Sequence, residues 1–178
     1  GLDFMYWWAA HDAAGLNFHT GDRVAAGNEL RPSKYTAFFS TTNGYIIRPL
    51  AYGITAFKLG AHGRFVPADV SNPDNLNLSV YAVLDGEKHL CLTIINKEHG
   101  DSGRSAVVSI AGAGGASTHG QVIFLNAPGN NVAATTGETL GSATIHNDGT
   151  WDGDWSPLDS ATVTVPPATA AIVRLPAE

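Results

Sequence analysis

Between Leu2 and Ala14 apolar and aromatic residues recur at helical spacing. Leu2, Met5 and Trp8 fall at i, i+3 and i+6, with Phe4 and Trp7 beside them, which predicts a helix with a broad apolar face. Asp3 lies in its first turn, where a negative charge suits the helix dipole, and Gly15 offers a stop. Leu16-Asn17-Phe18 then reads as a short strand covered on both faces, in the manner of a parallel sheet. The segment from Thr20 to Ile46 is long for a connection, and Tyr35 to Phe39 suggests a short hairpin inside it. Pro49 to Gly60 is a second predicted helix, with proline in its first turn, Leu50, Ile54 and Phe57 on one face and Gly60 as its stop.

From Arg64 the apolar period changes to two. Strands are predicted at Arg64–Pro67, Leu78–Leu84, Leu90–Lys97, Ser105–Ile110, Gln121–Leu125, Ala143–His146, Ala161–Val165 and Ala170–Leu175. Turn residues separate them, among them Asp85-Gly86, His99-Gly100-Asp101, Pro128-Gly129-Asn130, Asp148-Gly149 and Pro166-Pro167. Short strands at this spacing predict an antiparallel β-sandwich. Helix, turn, buried strand and loop in the first third instead follow the grammar of one unit of a parallel (β/α)8 barrel. The expected division is therefore residues 1–63, a terminal barrel fragment, and residues 64–178, a C-terminal β-sandwich. The fold class is mostly β.

Composition narrows the functions. Hydrophobic residues at 44 % and charged residues at 15 % describe a chain that folds. A net charge of −6, with no cluster of Lys and Arg, argues against nucleic acid. No apolar run approaches the ~20 residues of a membrane span. The single cysteine, Cys91, excludes an intrachain disulfide and reads as a buried small hydrophobe. No zinc spacing, phosphate loop or nucleophile elbow is present, so neither a cofactor nor a metal is expected. The chain opens at Gly1 inside a helical pattern, which suggests cleavage or a piece of something longer.

Candidate chemistry is sparse. His11 and Asp12 are adjacent on a helix and point apart, which disfavours a catalytic pair. His19, just past the predicted barrel strand, stands where barrel enzymes place functional residues, though a structural histidine fits equally. Asn17 has the chemistry to bond sugar hydroxyls or to cap nearby backbone. Trp151-Asp-Gly-Asp-Trp155 offers stacking rings and Asp-x-Asp, but a β-turn with its tryptophans in the core is the better reading, because a calcium loop needs a longer string of oxygen ligands. Asn77-Leu-Ser79 matches a glycosylation acceptor.

Gly15-Leu-Asn-Phe-His-Thr-Gly21, then Arg48-Pro-Leu-Ala-Tyr-Gly53 opening a helix, then a sandwich closing on Ala170-Ala-Ile-Val-Arg-Leu175, resembles the C-terminal part of a glycoside hydrolase family 79 enzyme, the family of β-glucuronidases and heparanase. The resemblance implies that residues 15–21 correspond to the eighth barrel strand and its loop, with Asn17, Phe18, His19 and Gly21 at the rim of the sugar site. The family binds the glucuronate carboxylate there through backbone amides and an aromatic hydroxyl. Phe18 lacks that hydroxyl, so either the substrate differs or another residue supplies the donor. Retaining glycosidases need two carboxyls about 5 Å apart, and the family carries its glutamates on barrel strands four and seven. Glu29, Glu87, Glu98, Glu138 and Glu178 match neither position, so the chain alone is expected to be inactive. The resemblance further implies a secreted or periplasmic setting and a uronic-acid-containing glycan. The expected partner is a missing N-terminal barrel portion, or a second copy, docking through Tyr6, Trp7, Trp8, Phe38 and Phe39. The other reading is a freestanding carbohydrate-binding or structural sandwich.

Overall fold

Residues 89–96, His-Leu-Cys-Leu-Thr-Ile-Ile-Asn, are apolar without alternation, and both faces of this strand are covered. A computed structural model shows why; it describes residues 1–19, 23–26, 29–32, 36–111 and 119–176. In chain order the elements are α1 (Leu2–Ala10), β1 (Arg23–Ala26), β2 (Glu29–Pro32), β3 (Phe38–Thr41), β4 (Gly44–Ile47), α2 (Pro49–Gly60), β5 (Arg64–Val66), β6 (Leu78–Leu84), β7 (His89–Asn96), β8 (Ala106–Ser109), β9 (Gly120–Asn126), β10 (Thr139–Leu140), β11 (Ser156–Leu158), β12 (Thr162–Val165) and β13 (Thr169–Pro176). The main sheet runs β10-β9-β13-β7-β6-β5, with β11 also paired to β9. Every pairing is antiparallel. The fold is thus mostly β, as the period of two predicts.

Two layers cover this sheet. The helices lie on one face, where Leu2, Met5, Tyr6, Tyr52 and Ala56 share a core with Val83, Cys91, Ile95, Ala170 and Ile172. The small sheet β8-β12 lies on the other, where Ala106, Val163 and Val165 meet Leu92, Ile94, Ala171, Val173 and Leu175. Alternate residues of β7 and β13 therefore feed opposite cores, and both strands read as continuous apolar runs. Hydrophobic packing crosses residue 63, since the helix-side core draws on both halves of the chain. No helix is long and apolar enough to cross a membrane among the described residues.

Several expectations need correction. The first helix ends at Ala10, not Ala14: the reversal falls at Asp12, whose φ is 59°, rather than at Gly15. Short polar residues tolerate this left-handed conformation through local hydrogen bonding. Leu16 to Phe18 forms no strand, because no described strand lies alongside to pair with it, though Leu16 and Phe18 pack against the helix-side core. The second helix spans the predicted residues but buries Tyr52, Gly53, Ala56 and Gly60 rather than the Leu50-Ile54-Phe57 stripe; Ile54 is exposed. Small residues face α1 because its backbone comes close. A Cβ on Gly53 would stand 3.3 Å from the Leu2 nitrogen. Ala143–His146 is reduced to one bridge between Leu140 and Ala143. The hairpin expected around Tyr35 to Phe39 is present but shifted, as β3-β4 starting at Phe38, with Tyr35 outside the described residues, and β1-β2 forms a second pair in the same segment.

Candidate functional site

The rim residues named from sequence sit beside the outer face of α1. Phe18 is half-buried and meets Phe4 edge to face, with centroids 6.5 Å apart. Asn17 and His19 are exposed on either side of it, and His19 is not without partners. Gly21 lies outside the described residues. Phe4 continues to Trp8 (6.2 Å), Trp8 to Trp7 (4.9 Å), and Trp7 stacks on the His11 ring at 4.0 Å. His11 is held by its Nδ1, 2.6 Å from the Trp7 carbonyl oxygen. Phe4, Trp7 and Trp8 are 52 %, 47 % and 40 % exposed. Tyr6, expected in the same exposed patch, is instead fully buried: its ring stacks on Tyr81 at 4.9 Å and its oxygen accepts from the Thr93 hydroxyl at 2.7 Å. Phe38 is exposed and Phe39 half-buried, the latter beneath the Arg48 guanidinium.

The inner face of α1 is fixed by a polar clamp. Asp3 accepts from the Tyr81 hydroxyl at 2.8 Å and from the Lys97 ammonium at 3.1 Å, and Lys97 also donates to Ser79 Oγ at 2.8 Å. Burial alone would raise the Asp3 pKa, but these donors outweigh it and hold the carboxyl below its usual range. Burial, with the Asp3 charge beside it, pushes Tyr81 up to about 12.

Sequence reasoning passed over one titratable cluster. Asp85, Glu87 and His89 bring ligand atoms within 4.8 Å of one another, a spacing that suits either a metal or a carboxylate pair. The i, i+2, i+4 placement around the Asp85-Gly86 turn was the available clue. The Arg174 guanidinium decides against both uses. One of its nitrogens lies 3.4 Å from Asp85, 3.1 Å from Glu87 and 3.1 Å from His89 Nδ1, so a cation already stands among the ligand atoms. Asp85 also accepts from the Glu87 and His89 amides at 2.9 and 2.7 Å. Burial opposes its ionisation, yet these donors keep its pKa low. A general acid needs the reverse.

Elsewhere, Glu98 is paired with Arg104 at 2.9 Å. Glu138 is buried, and among the described residues its Oε1 has no hydrogen-bond partner. Trp151 donates its indole N–H to the Leu140 carbonyl at 2.9 Å, and both it and Trp155 pack on the helix-side core. The two tryptophans anchor this segment on the core, as expected, but residues 151–155 form no turn, which falls instead at Asn147-Asp148-Gly149.

No family model matches this sequence. No curated protein matches it either. Solved structures do. The catalytic domain of GH30 xylanase C from Talaromyces cellulolyticus is similar with a TM-score of 0.51 at 14% identity, over 79% of this chain and 27% of that one. A β-porphyranase of glycoside hydrolase family 86 from Bacteroides plebeius gives 0.52 at 16% identity, over 81% and 22%. A 4-O-α-L-rhamnosyl-β-D-glucuronidase from Fusarium oxysporum gives 0.49 at 16%, over 69% and 28%, a likeness too low to argue from. At these identities the likeness is one of fold. The chain shares its fold with part of these two glycoside hydrolase chains and spans about a quarter of each, 27% and 22%. Family 79 is not singled out.

Proposed function

We propose that this chain is the C-terminal segment of a retaining β-glucuronidase-like glycoside hydrolase. In this reading residues 1–63 belong to the barrel and residues 64–178 form the accessory β domain. Asn17, Phe18, His19 and Gly21 line the strand-eight rim of the sugar site, and the catalytic glutamates belong to the remainder of the enzyme. The observation that carries it is the two-sidedness of α1. Leu2, Met5 and Tyr6 are buried on the chain's own sheet, while Phe4, Trp7 and Trp8 on the other side stay exposed. A helix apolar all round belongs between two layers, and a barrel helix held between barrel and accessory domain meets that requirement. The glycan is uronic-acid-containing and the setting secreted or periplasmic.

The test is activity on an aryl glucuronide, with this chain alone and with the barrel portion encoded upstream co-expressed. The chain alone gives no turnover, and the two portions co-purify and hydrolyse the substrate. Turnover by this chain alone ends the proposal, as does an upstream sequence without strand–helix units.

The helix-side core shared between both halves favours, as a second reading, a freestanding carbohydrate-binding or structural module. Glycan-array binding by this chain alone, together with an upstream sequence that lacks strand–helix units, selects it.

A further inference from the structure

Strands β10 and β11 both pair with β9, but at opposite ends: β10 with Leu125 and Asn126, β11 with residues 120–122. Ile123 and Phe124 are left between them. The chain bridges the gap through Gly141, whose N–H donates to the Phe124 carbonyl at 3.0 Å and whose carbonyl accepts from the Asp154 N–H at 3.2 Å. Beside this bridge opens a cleft of about 210 Å³, whose lining also includes Thr164 and Pro166.

We propose that this cleft is a subsite for one neutral sugar residue, separate from the strand-eight rim. The residues that line it include the half-buried Phe124 and Ser142, Ser156, Thr164 and Asp154, all exposed. Among the described residues no hydrogen bond engages those four polar side chains. An aromatic surface with acceptors and hydroxyls around it is complementary to a pyranose, which presents C–H faces and a rim of hydroxyls. No Lys, Arg or His lines the cleft, so a uronate or phosphate would enter uncompensated beside Asp154. One carboxylate is too few for a hard divalent cation. The volume, below the ~300 Å³ of drug-sized pockets, suits a single ring.

The experiment titrates the ¹⁵N-labelled chain with methyl β-xyloside, methyl β-glucoside, methyl β-galactoside and methyl β-glucuronide, following amide shifts. At least one neutral glycoside shifts Phe124, Ser142, Asp154 and Ser156 and saturates below about 50 mM, a weak one-ring affinity, while the glucuronide does not. Thr164→Val, isosteric and on an exposed position, weakens binding at least about threefold, and Asp154→Ala at least about fivefold. Both variants keep the parent melting temperature. No saturable shift with any neutral glycoside, equal binding of the glucuronide, or binding unchanged in both variants each overturns the proposal.

Discussion

The Tyr81 hydroxyl donates to Asp3 Oδ1 across 2.8 Å, joining residues 78 positions apart. Through it the first turn of α1 is tied to the middle of β6, next to the Tyr6–Tyr81 stack. The acceptor is a charged carboxylate, so the bond belongs to the stronger class, although partial exposure reduces its worth. Tyr81→Phe keeps the stack and removes the bond. Stability should fall by about 1 kcal/mol, read as a lower urea midpoint at unchanged slope. An unchanged midpoint would show that Lys97 alone holds Asp3.

Acid should loosen the molecule, in part through the depressed carboxyls of Asp3 and Glu98. Asp3 titrates below its ordinary value, since the donors from Tyr81, Lys97 and Ser79 outweigh the opposing effect of burial. Glu98 is held down to about 2, chiefly by the Arg104 side chain and next by the Asn77 N–H. A group whose folded pKa is depressed stabilises the fold above its unfolded pKa, about 3.9 for Asp and 4.3 for Glu. That stability is lost as pH falls through the folded value. The urea midpoint should therefore hold steady down to about pH 4.5 and decline toward pH 2. Glu98→Gln should flatten part of the decline, and added salt should shrink the Glu98 share because the pair is near water. An identical pH profile in Glu98→Gln would rule out this assignment.

Gly60 tests how tightly α2 lies on the sheet. A Cβ there would stand 2.5 Å from the Tyr6 hydroxyl oxygen, 2.9 Å from Thr93 Oγ1 and 3.0 Å from Ile172 Cγ2. On propensity alone Gly→Ala in a helix gains about 1 kcal/mol. Here the methyl group must displace the Thr93–Tyr6 hydrogen bond or lift the helix. Overpacking costs about 1–3 kcal/mol and should win, so Gly60→Ala should melt several degrees lower. A higher melting temperature would mean that the helix end yields freely.

This glycine also shows what sequence leaves out. As sequence it reads as a stop signal, and α2 does end there. In the molecule it is a close-approach residue, and only the positions of Tyr6 and Thr93 reveal that. Local pattern sufficed for β6, β7, β9 and β13, because alternating or continuous apolarity reflects which faces are covered. It also sufficed for α2, whose proline and length fix its bounds. Local pattern failed at β11, whose Ser156-Pro-Leu158 carries no strand propensity and pairs because β9 has a free edge. It failed again at Leu16 to Phe18, where apolar residues pack without any strand beside them. For the candidate site, the aromatic density of α1 was legible. The inward turn of Tyr6 was not, since helix periodicity does not say which side meets the chain's own sheet. Nor was the place of Arg174 among Asp85, Glu87 and His89, which depends on β13 lying next to β7.

The exposed side of α1 gives the last prediction. Trp7 touches Trp8 and the His11 ring and takes no part in either core. Replacing it with glutamine, a good helix former, should cost about 1 kcal/mol or less, the scale of a surface aromatic pair. Its effect on association should be far larger. An apolar patch of this kind on a soluble chain drives contact with a partner or with another copy. In light scattering the unaltered chain should therefore show concentration-dependent mass, and Trp7→Gln should move toward the monomer. With Trp8→Gln added, the mass should become independent of concentration while the melting temperature stays within a few degrees. If the unaltered chain is already monomeric at high concentration, the outer aromatics do not act as a contact surface between copies. If the double variant loses most of its stability, they support the fold from within. In that second case the two-sidedness of α1 would cease to argue for a missing layer, and the freestanding module would become the better reading.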